Sequence, residues 1–128
     1  MSVDVSKYPV LKCHLFMVGD TGVIHAVFNE DDRKRYYEIV CDDSAMWMTA
    51  QALSSVWEVM MDCKVTSFSV DNLLPITDKD EMEFTAKILD RSLDKKDFLL
   101  KVTATRGEDT VMSGMIKVSR TEESMRWR

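Results

Sequence analysis

The sequence predicts an α+β domain in which one long central helix is wrapped by a single curved antiparallel sheet. Three observations carry this. Only Ser44 to Met61 holds an apolar run long enough for a buried helix, with twelve of its eighteen residues apolar. The segments that follow alternate apolar and polar residues, the period of a half-buried strand. The connections between them are of hairpin length. A helix of this size is about 27 Å long and strands of eight to ten residues reach about 26 to 33 Å. One helix therefore matches one sheet, and it is the only cover the chain offers for the sheet's apolar face.

Taken in order, Val10 to Met17 alternates Leu11, Cys13, Leu15 and Met17 against Lys12, His14 and Phe16. A second apolar run, Val23 to Phe28, follows the turn residues Gly19 and Asp20, so the two read as a hairpin. Asn29 to Arg35 is a charged connection, and Tyr36 to Val40 a short extended segment leading into the helix. At 3.6 residues per turn, the polar residues Ser44, Gln51, Ser54, Ser55 and Glu58 fall within a stripe of roughly 100°. The helix is thus expected to be buried on most sides. Asp42 or Asp43 supplies its N-cap, where a carboxylate accepts from free N–H groups and suits the helix dipole. Asp62 marks its end. Strands are expected at Lys64 to Val70 running on toward Leu74, Met82 to Arg91, Phe98 to Thr105 and Thr110 to Ser119. With turns at Ser92 to Asp97 and Arg106 to Asp109, they are expected to form an antiparallel meander with one dry face.

A chain of 128 residues with 45% hydrophobic and 30% charged residues suits one globular domain spanning 1–128. Its core is expected at about 10–119, with a charged, frayed tail at 120–128. Cys13, Cys41 and Cys63 are an odd set without a C-x-x-C pair, so no disulfide framework, metal site or cofactor is suggested. The formal charge is −5 and basic residues are interleaved with acids, which argues against nucleic acid. Ser44 to Trp57, the longest uncharged apolar stretch, is too short and polar to span a bilayer, which needs about 20 apolar residues. Met1 to Lys7 has no signal-peptide character, so a cytoplasmic location is expected. The ten methionines either fill a core or line a pocket that repacks around apolar ligands.

One long apolar helix, preceded by strands and followed by an antiparallel meander, resembles the hotdog superfamily of acyl-CoA and acyl-carrier-protein thioesterases and dehydratases. The resemblance covers roughly 10–119. Its local signal is Val70-Asp71-Asn72-Leu73-Leu74-Pro75-Ile76-Thr77-Asp78-Lys79-Asp80-Glu81-Met82, similar to the superfamily's apolar residue, Pro-Val, then Gly-Asp before a strand. Lys79 stands where Gly is usual. The resemblance implies a homodimer or dimer of dimers that binds an acyl-CoA or acyl-carrier-protein thioester. Laid along the dehydratase pattern, the catalytic His falls on Tyr36 and the helical acid on Ala50, which cannot exchange protons as that pair does. The His-Gly-Gly signature of one thioesterase branch is also missing: Asp42-Asp43-Ser44 occupies its place, and Gln51 or Ala52 the place of its acid.

Asp43 is the preferred catalytic candidate, with Asp42 beside it. A carboxylate there can orient water toward a thioester while helix N–H groups polarise the carbonyl, and the same residues also suit a plain N-cap. Ser44, Thr49 and Gln51 are the candidate substrate-binding residues. Thr49, opposite the polar stripe, either meets the ligand or bonds back to a carbonyl one turn earlier. Gln51, Ser54, Ser55 and Glu58 line a pocket or interface, or else face solvent. His14 and His25 are single polar residues within strands, without metal-ligand spacing. Two functions stay open: a thioesterase, or a catalytically silent acyl-thioester or fatty-ligand binding module.

Overall fold

A computed structural model of the chain describes residues 16–29, 31, 44–77 and 79–121. Its elements are β1 (Thr21–Val27), α1 (Ser44–Val59), β2 (Cys63–Asn72), β3 (Glu81–Arg91), β4 (Asp97–Arg106) and β5 (Asp109–Arg120). The expected first strand, Val10 to Met17, and the segment Tyr36 to Val40 lie outside the described residues or, at Phe16 and Met17, outside any strand. The turn before β1 is present. The Asp20 N–H donates to the Met17 carbonyl at 3.0 Å, the Asp20 carboxylate accepts from the Met17 N–H at 2.9 Å, and Gly19 takes φ 99°.

All five strands form one antiparallel sheet in the order β1-β3-β4-β5-β2. The meander is β3-β4-β5. β2, expected from its place in the sequence to continue that meander, pairs instead with β5, and β1 takes the place beside β3. One face is dry, as the alternation requires: Met82, Phe84, Ala86 and Ile88 on β3, Phe98, Leu100, Val102 and Ala104 on β4, and Met112, Ile116 and Val118 on β5 are buried. Their neighbours Glu83, Lys87 and Lys101 are exposed on the opposite face. β5 runs one residue further than expected, to Arg120, which is buried at the sheet's end and so belongs to the domain rather than to a frayed tail.

α1 crosses the dry face over β1, β3 and β4. Small residues let it approach. A Cβ on Gly22 of β1 would lie 2.6 Å from the Ser55 carbonyl oxygen and 2.7 Å from the Val59 nitrogen. Ser55, fully buried, satisfies its hydroxyl within the helix by donating to the Ala52 carbonyl at 2.6 Å. The helix ends where Met60 donates to Val56 at 2.8 Å and Asp62 takes φ 56°.

Burial of the helix differs from the expectation. The buried side is Trp47, Met48, Ala52, Ser55 and Val56, whereas Met46, Ser54, Trp57 and Glu58 are exposed. The polar stripe is therefore split, with Ser55 inside and Ser54 and Glu58 outside. Trp57 is 56% exposed, and Phe68 of the uncovered edge strand β2 is 54% exposed. Because the helix lies toward the β1 side, the inward faces of Val65 and Phe68 on β2 remain bare beside it.

Between β2 and β3 the chain turns as the Pro-containing motif suggested. Lys79 adopts φ 69°, the left-handed region that glycine enters without a steric penalty, which explains why Gly is usual at this place. Its N–H donates to the Phe28 carbonyl at 2.7 Å, and the Phe28 N–H donates to Asp80 at 3.3 Å. The Asp80 carboxylate accepts from the Thr77 N–H and from Arg106, both at 2.8 Å.

Candidate functional site

The first half of α1 is where the candidate residues gather. Asp42 and Asp43 lie outside the described residues, and Ser44 opens the helix. Thr49 is half-buried and its hydroxyl donates to the Ala45 carbonyl at 2.9 Å, so its proton is used inside the helix and only its lone pairs can meet a ligand. Gln51 is different. It is half-buried, and among the described residues its side-chain amide makes no hydrogen bond. At helical spacing it stands one turn from Trp47 and from Ser55, on the flank of the buried face. Its amide donors and acceptor thus face solvent and are available to a ligand.

Of the two residues placed against the thioesterase acid, Ala52 is fully buried and faces the sheet, which leaves Gln51 as the polar member. Ala50 is half-buried on the outer flank, where its carbonyl accepts from the Ser54 hydroxyl at 3.0 Å, and Tyr36 is outside the described residues.

Behind Gln51 stands an aromatic group that pattern reading did not single out. Trp47 packs on Phe28 with ring centroids 5.0 Å apart and on Phe84 at 5.8 Å, the latter edge-on. Trp47 is 2% exposed and the two phenylalanines are fully buried. The three come from α1, the residue after β1, and β3, so only the tertiary fold joins them. Gly22 was legible in principle, since a glycine inside an apolar strand marks a close backbone approach.

Other reactive types do not assemble with the helix. His25 lies on the opposite face of the sheet, 62% exposed, with Nε2 3.3 Å from its cross-strand partner Glu83. Cys63 is half-buried and its thiol donates to the Met61 carbonyl at 3.3 Å. A cavity of about 460 Å³ is lined by Thr66, Asp90, Leu99, Lys117 and Ser119, among others. By register these side chains belong to the face away from α1. The Ser119 hydroxyl donates to Asp97 there, without a histidine to activate it. Among the described residues no group of three or more His, Cys, Asp or Glu could hold a metal ion. No helix among them is long and apolar enough to cross a membrane.

No family model and no curated protein matches the chain. Solved structures do. A hot-dog-like protein from Thermanaerovibrio acidaminovorans is 15% identical with a TM-score of 0.72, covering 90% of this chain and 91% of that one. An (R)-hydratase from A. caviae involved in PHA biosynthesis is 13% identical with a TM-score of 0.74, covering 82% of this chain and 97% of its own. A point mutant of the fluoroacetyl-CoA-specific thioesterase FlK is 15% identical with a TM-score of 0.67, over 80% and 86% of the two chains. At such identities the likeness is one of fold. With α1 laid across a five-stranded antiparallel sheet in the order β1-β3-β4-β5-β2 among the described residues, this chain has the hotdog fold.

Proposed function

We propose that this protein binds an acyl thioester against the first half of α1 and hydrolyses it. The observation that carries the reading is the half-buried amide of Gln51, open to solvent and without a protein partner among the described residues, on the flank of the buried face beside Trp47. Such an arrangement fits a carbonyl group attached to an apolar chain. The fold is shared with a fluoroacetyl-CoA-specific thioesterase, which supports a thioester as ligand, carried on CoA or on an acyl carrier protein.

In this mechanism the N–H groups of the first helical turn donate to the thioester carbonyl oxygen, where negative charge develops, and the Gln51 amide, about 10 Å further along the helix, donates to an amide carbonyl of the thioester's carrier. Asp43, with Asp42 beside it, takes a proton from water as the water oxygen attacks the carbonyl carbon. The tetrahedral intermediate collapses with loss of the C–S bond, and the proton passes to the thiolate, so the products are a carboxylic acid and a free thiol. Ser44 and the lone pairs of Thr49 line the same helical segment. A dehydratase of the standard type is disfavoured, because Tyr36 and Ala50 stand where its proton-transfer pair would be.

A second copy of the chain completes the site in this reading. β2 is an edge strand whose outward backbone groups have no strand partner among the described residues, and exposed apolar side chains flank it. Pairing two such edges makes a homodimer and covers Val65 and Phe68; a dimer of dimers is the next order of assembly.

The test is thiol release from a panel of acyl-CoAs and acyl carrier proteins, with Asp42→Asn and Asp43→Asn alongside. Loss of turnover in Asp43→Asn with binding retained is the expected result. Full turnover in both variants removes the carboxylates from the mechanism. A silent binding module is the second reading, favoured by the helix itself, which carries no acid before Glu58. Its signature is thermal stabilisation without turnover, about 2.7 kcal/mol at a hundredfold excess of ligand over the dissociation constant.

A further inference from the structure

We infer that the cavity on the outer face of the sheet binds a nucleoside polyphosphate, its phosphates on lysines that the fold gathers there and its ring on Leu99. The inference does not rest on the acyl-thioester reading, because this face is turned away from α1. Along the sequence the basic residues are interleaved with acids, but the strand register sorts them. Lys64, Lys87, Lys101 and Lys117 share the outer face toward the β3–β4 turn, and Lys95 and Lys96 stand in that turn. All six are exposed, and none of their ammonium groups makes a hydrogen bond or ion pair among the described residues. The acids Glu81, Glu83 and Asp71 of the same face lie toward its other end. A chain of net charge −5 thus carries one cationic end on one face, the sign that draws in a polyanion.

Two features point to a ligand rather than to a solvated surface. Lys87 and Lys101 are direct cross-strand partners, about 4.5 to 5.5 Å apart at Cβ, and Lys117 is diagonal to Lys101 at about 7 to 8 Å. Like charges set opposite each other destabilise a sheet, and an anion between them removes that cost. The second feature is the cavity itself, about 460 Å³, a volume within the range of small-molecule sites. Lys117 lines it beside its cross-strand partner Leu99, and Asp90 is the partner of Leu99 on the other side. Cation, apolar floor and carboxylate follow one another across three strands, over about 10 Å. In this arrangement Lys117 and Lys101 meet the phosphates, the ring lies on Leu99, and Asp90 accepts from ribose hydroxyls. Asp90 is available for this, since its hydrogen bond comes from the adjacent Arg91 N–H at 2.8 Å, whereas Asp97 is engaged by the Ser119 hydroxyl. A nucleic-acid strand suits the face less. It needs rings on which successive bases stack, and Phe68, Phe84 and Phe98 all belong by register to the inner side.

The experiment is calorimetric titration of the full chain with ATP, AMP, inorganic tripolyphosphate and a single-stranded oligonucleotide, without added metal. It is repeated on Lys117→Glu, Lys101→Glu and, as a control at the opposite end of the sheet, Lys79→Glu, with folding read by circular dichroism. These lysines are exposed, so the variants are expected to fold. ATP is expected to bind, with AMP and tripolyphosphate each weaker by about tenfold or more, the first for want of charge and the second for want of a ring. Lys117→Glu and Lys101→Glu should each weaken ATP by about tenfold or more, while Lys79→Glu changes it by less than about twofold. Absence of ATP binding at about 1 mM overturns the inference. So does equal affinity for ATP and tripolyphosphate, which reports diffuse charge only, or tighter binding of the oligonucleotide, which assigns the face to nucleic acid. ATP binding that Lys117→Glu leaves unchanged but saturating acyl-CoA abolishes places the nucleotide against α1 instead, and equally overturns it.

Discussion

Gly22 of β1 sits directly beneath Ser55 of α1, so close that a methyl group on Gly22 would stand 2.6 Å from the Ser55 carbonyl oxygen. The helix is set on the sheet at this contact, and the obstacle is rigid helical backbone rather than a side chain that can move. Gly22→Ala is therefore expected to lower stability by about 2 to 4 kcal/mol through overpacking. Gly107, in the β4–β5 turn at φ 62°, has open space around its Cβ position. Gly107→Ala should cost only about 1 kcal/mol, from backbone conformation alone. Chemical denaturation of both variants checks the difference.

Lys79 holds a left-handed conformation without being glycine. Lys79→Gly removes a steric cost of about 1 to 2 kcal/mol and adds an unfolded-state entropy cost of about 0.5 to 1 kcal/mol. A net gain of roughly 0.5 to 1 kcal/mol is expected, read as a higher denaturation midpoint at unchanged slope. Lys79→Val, β-branched at the same φ, should move the midpoint the other way.

Asp80 supplies the acid limit of this turn. The Thr77 backbone N–H, with Arg106 adding a second hydrogen bond and its charge, holds the Asp80 carboxyl below its ordinary 3.8, against a desolvation that pulls upward. A carboxylate with a depressed folded pKa stabilises the fold at pH above the unfolded value. That contribution declines as pH falls through 3.8 and is gone below the lowered folded value. The stability gap between wild type and Asp80→Asn should accordingly be widest near neutral pH and narrow below 3.8, as measured by denaturation at a series of pH values.

Gln51 is proposed to bind rather than to fold. Gln51→Leu removes hydrogen-bonding capacity that no described residue uses. The expected result is unchanged or slightly raised melting temperature with acyl-thioester affinity weakened about tenfold, about 1.4 kcal/mol for a lost hydrogen bond to a carbonyl. A parallel loss of fold and binding would instead assign Gln51 to packing.

Phe68 is the most exposed large apolar side chain on β2, the uncovered edge strand, and faces the inner side of the sheet. Placing a carboxylate there should block pairing of two β2 edges. Phe68→Asp is expected to convert a dimer to a monomer in light scattering while the strand content seen by circular dichroism stays the same. A wild-type chain that is monomeric at micromolar concentration would remove the second copy from the proposed site.

What the residues determined by themselves were local features governed by period and turn chemistry. Alternation at Met82 to Ile88 and Phe98 to Ala104 set the dry face; the apolar run from Ser44 set the helix; Asp62, Gly107 and the Pro75 to Asp80 stretch set the turns. These are legible because each depends on neighbours a few residues away. The tertiary structure alone decided that β2 leaves its sequence neighbour β3 to pair with β5, that β1 enters beside β3, and that α1 lies to one side, splitting its polar stripe and leaving Trp57 bare. It also joined Trp47 to Phe28 and Phe84, and separated Gln51 from Ala52 by leaving one half-buried on the flank of the helix and turning the other onto the sheet. Such choices depend on which surfaces bury each other across gaps of tens of residues. Alternation along a strand records which side is buried, but not which strand will lie beside it.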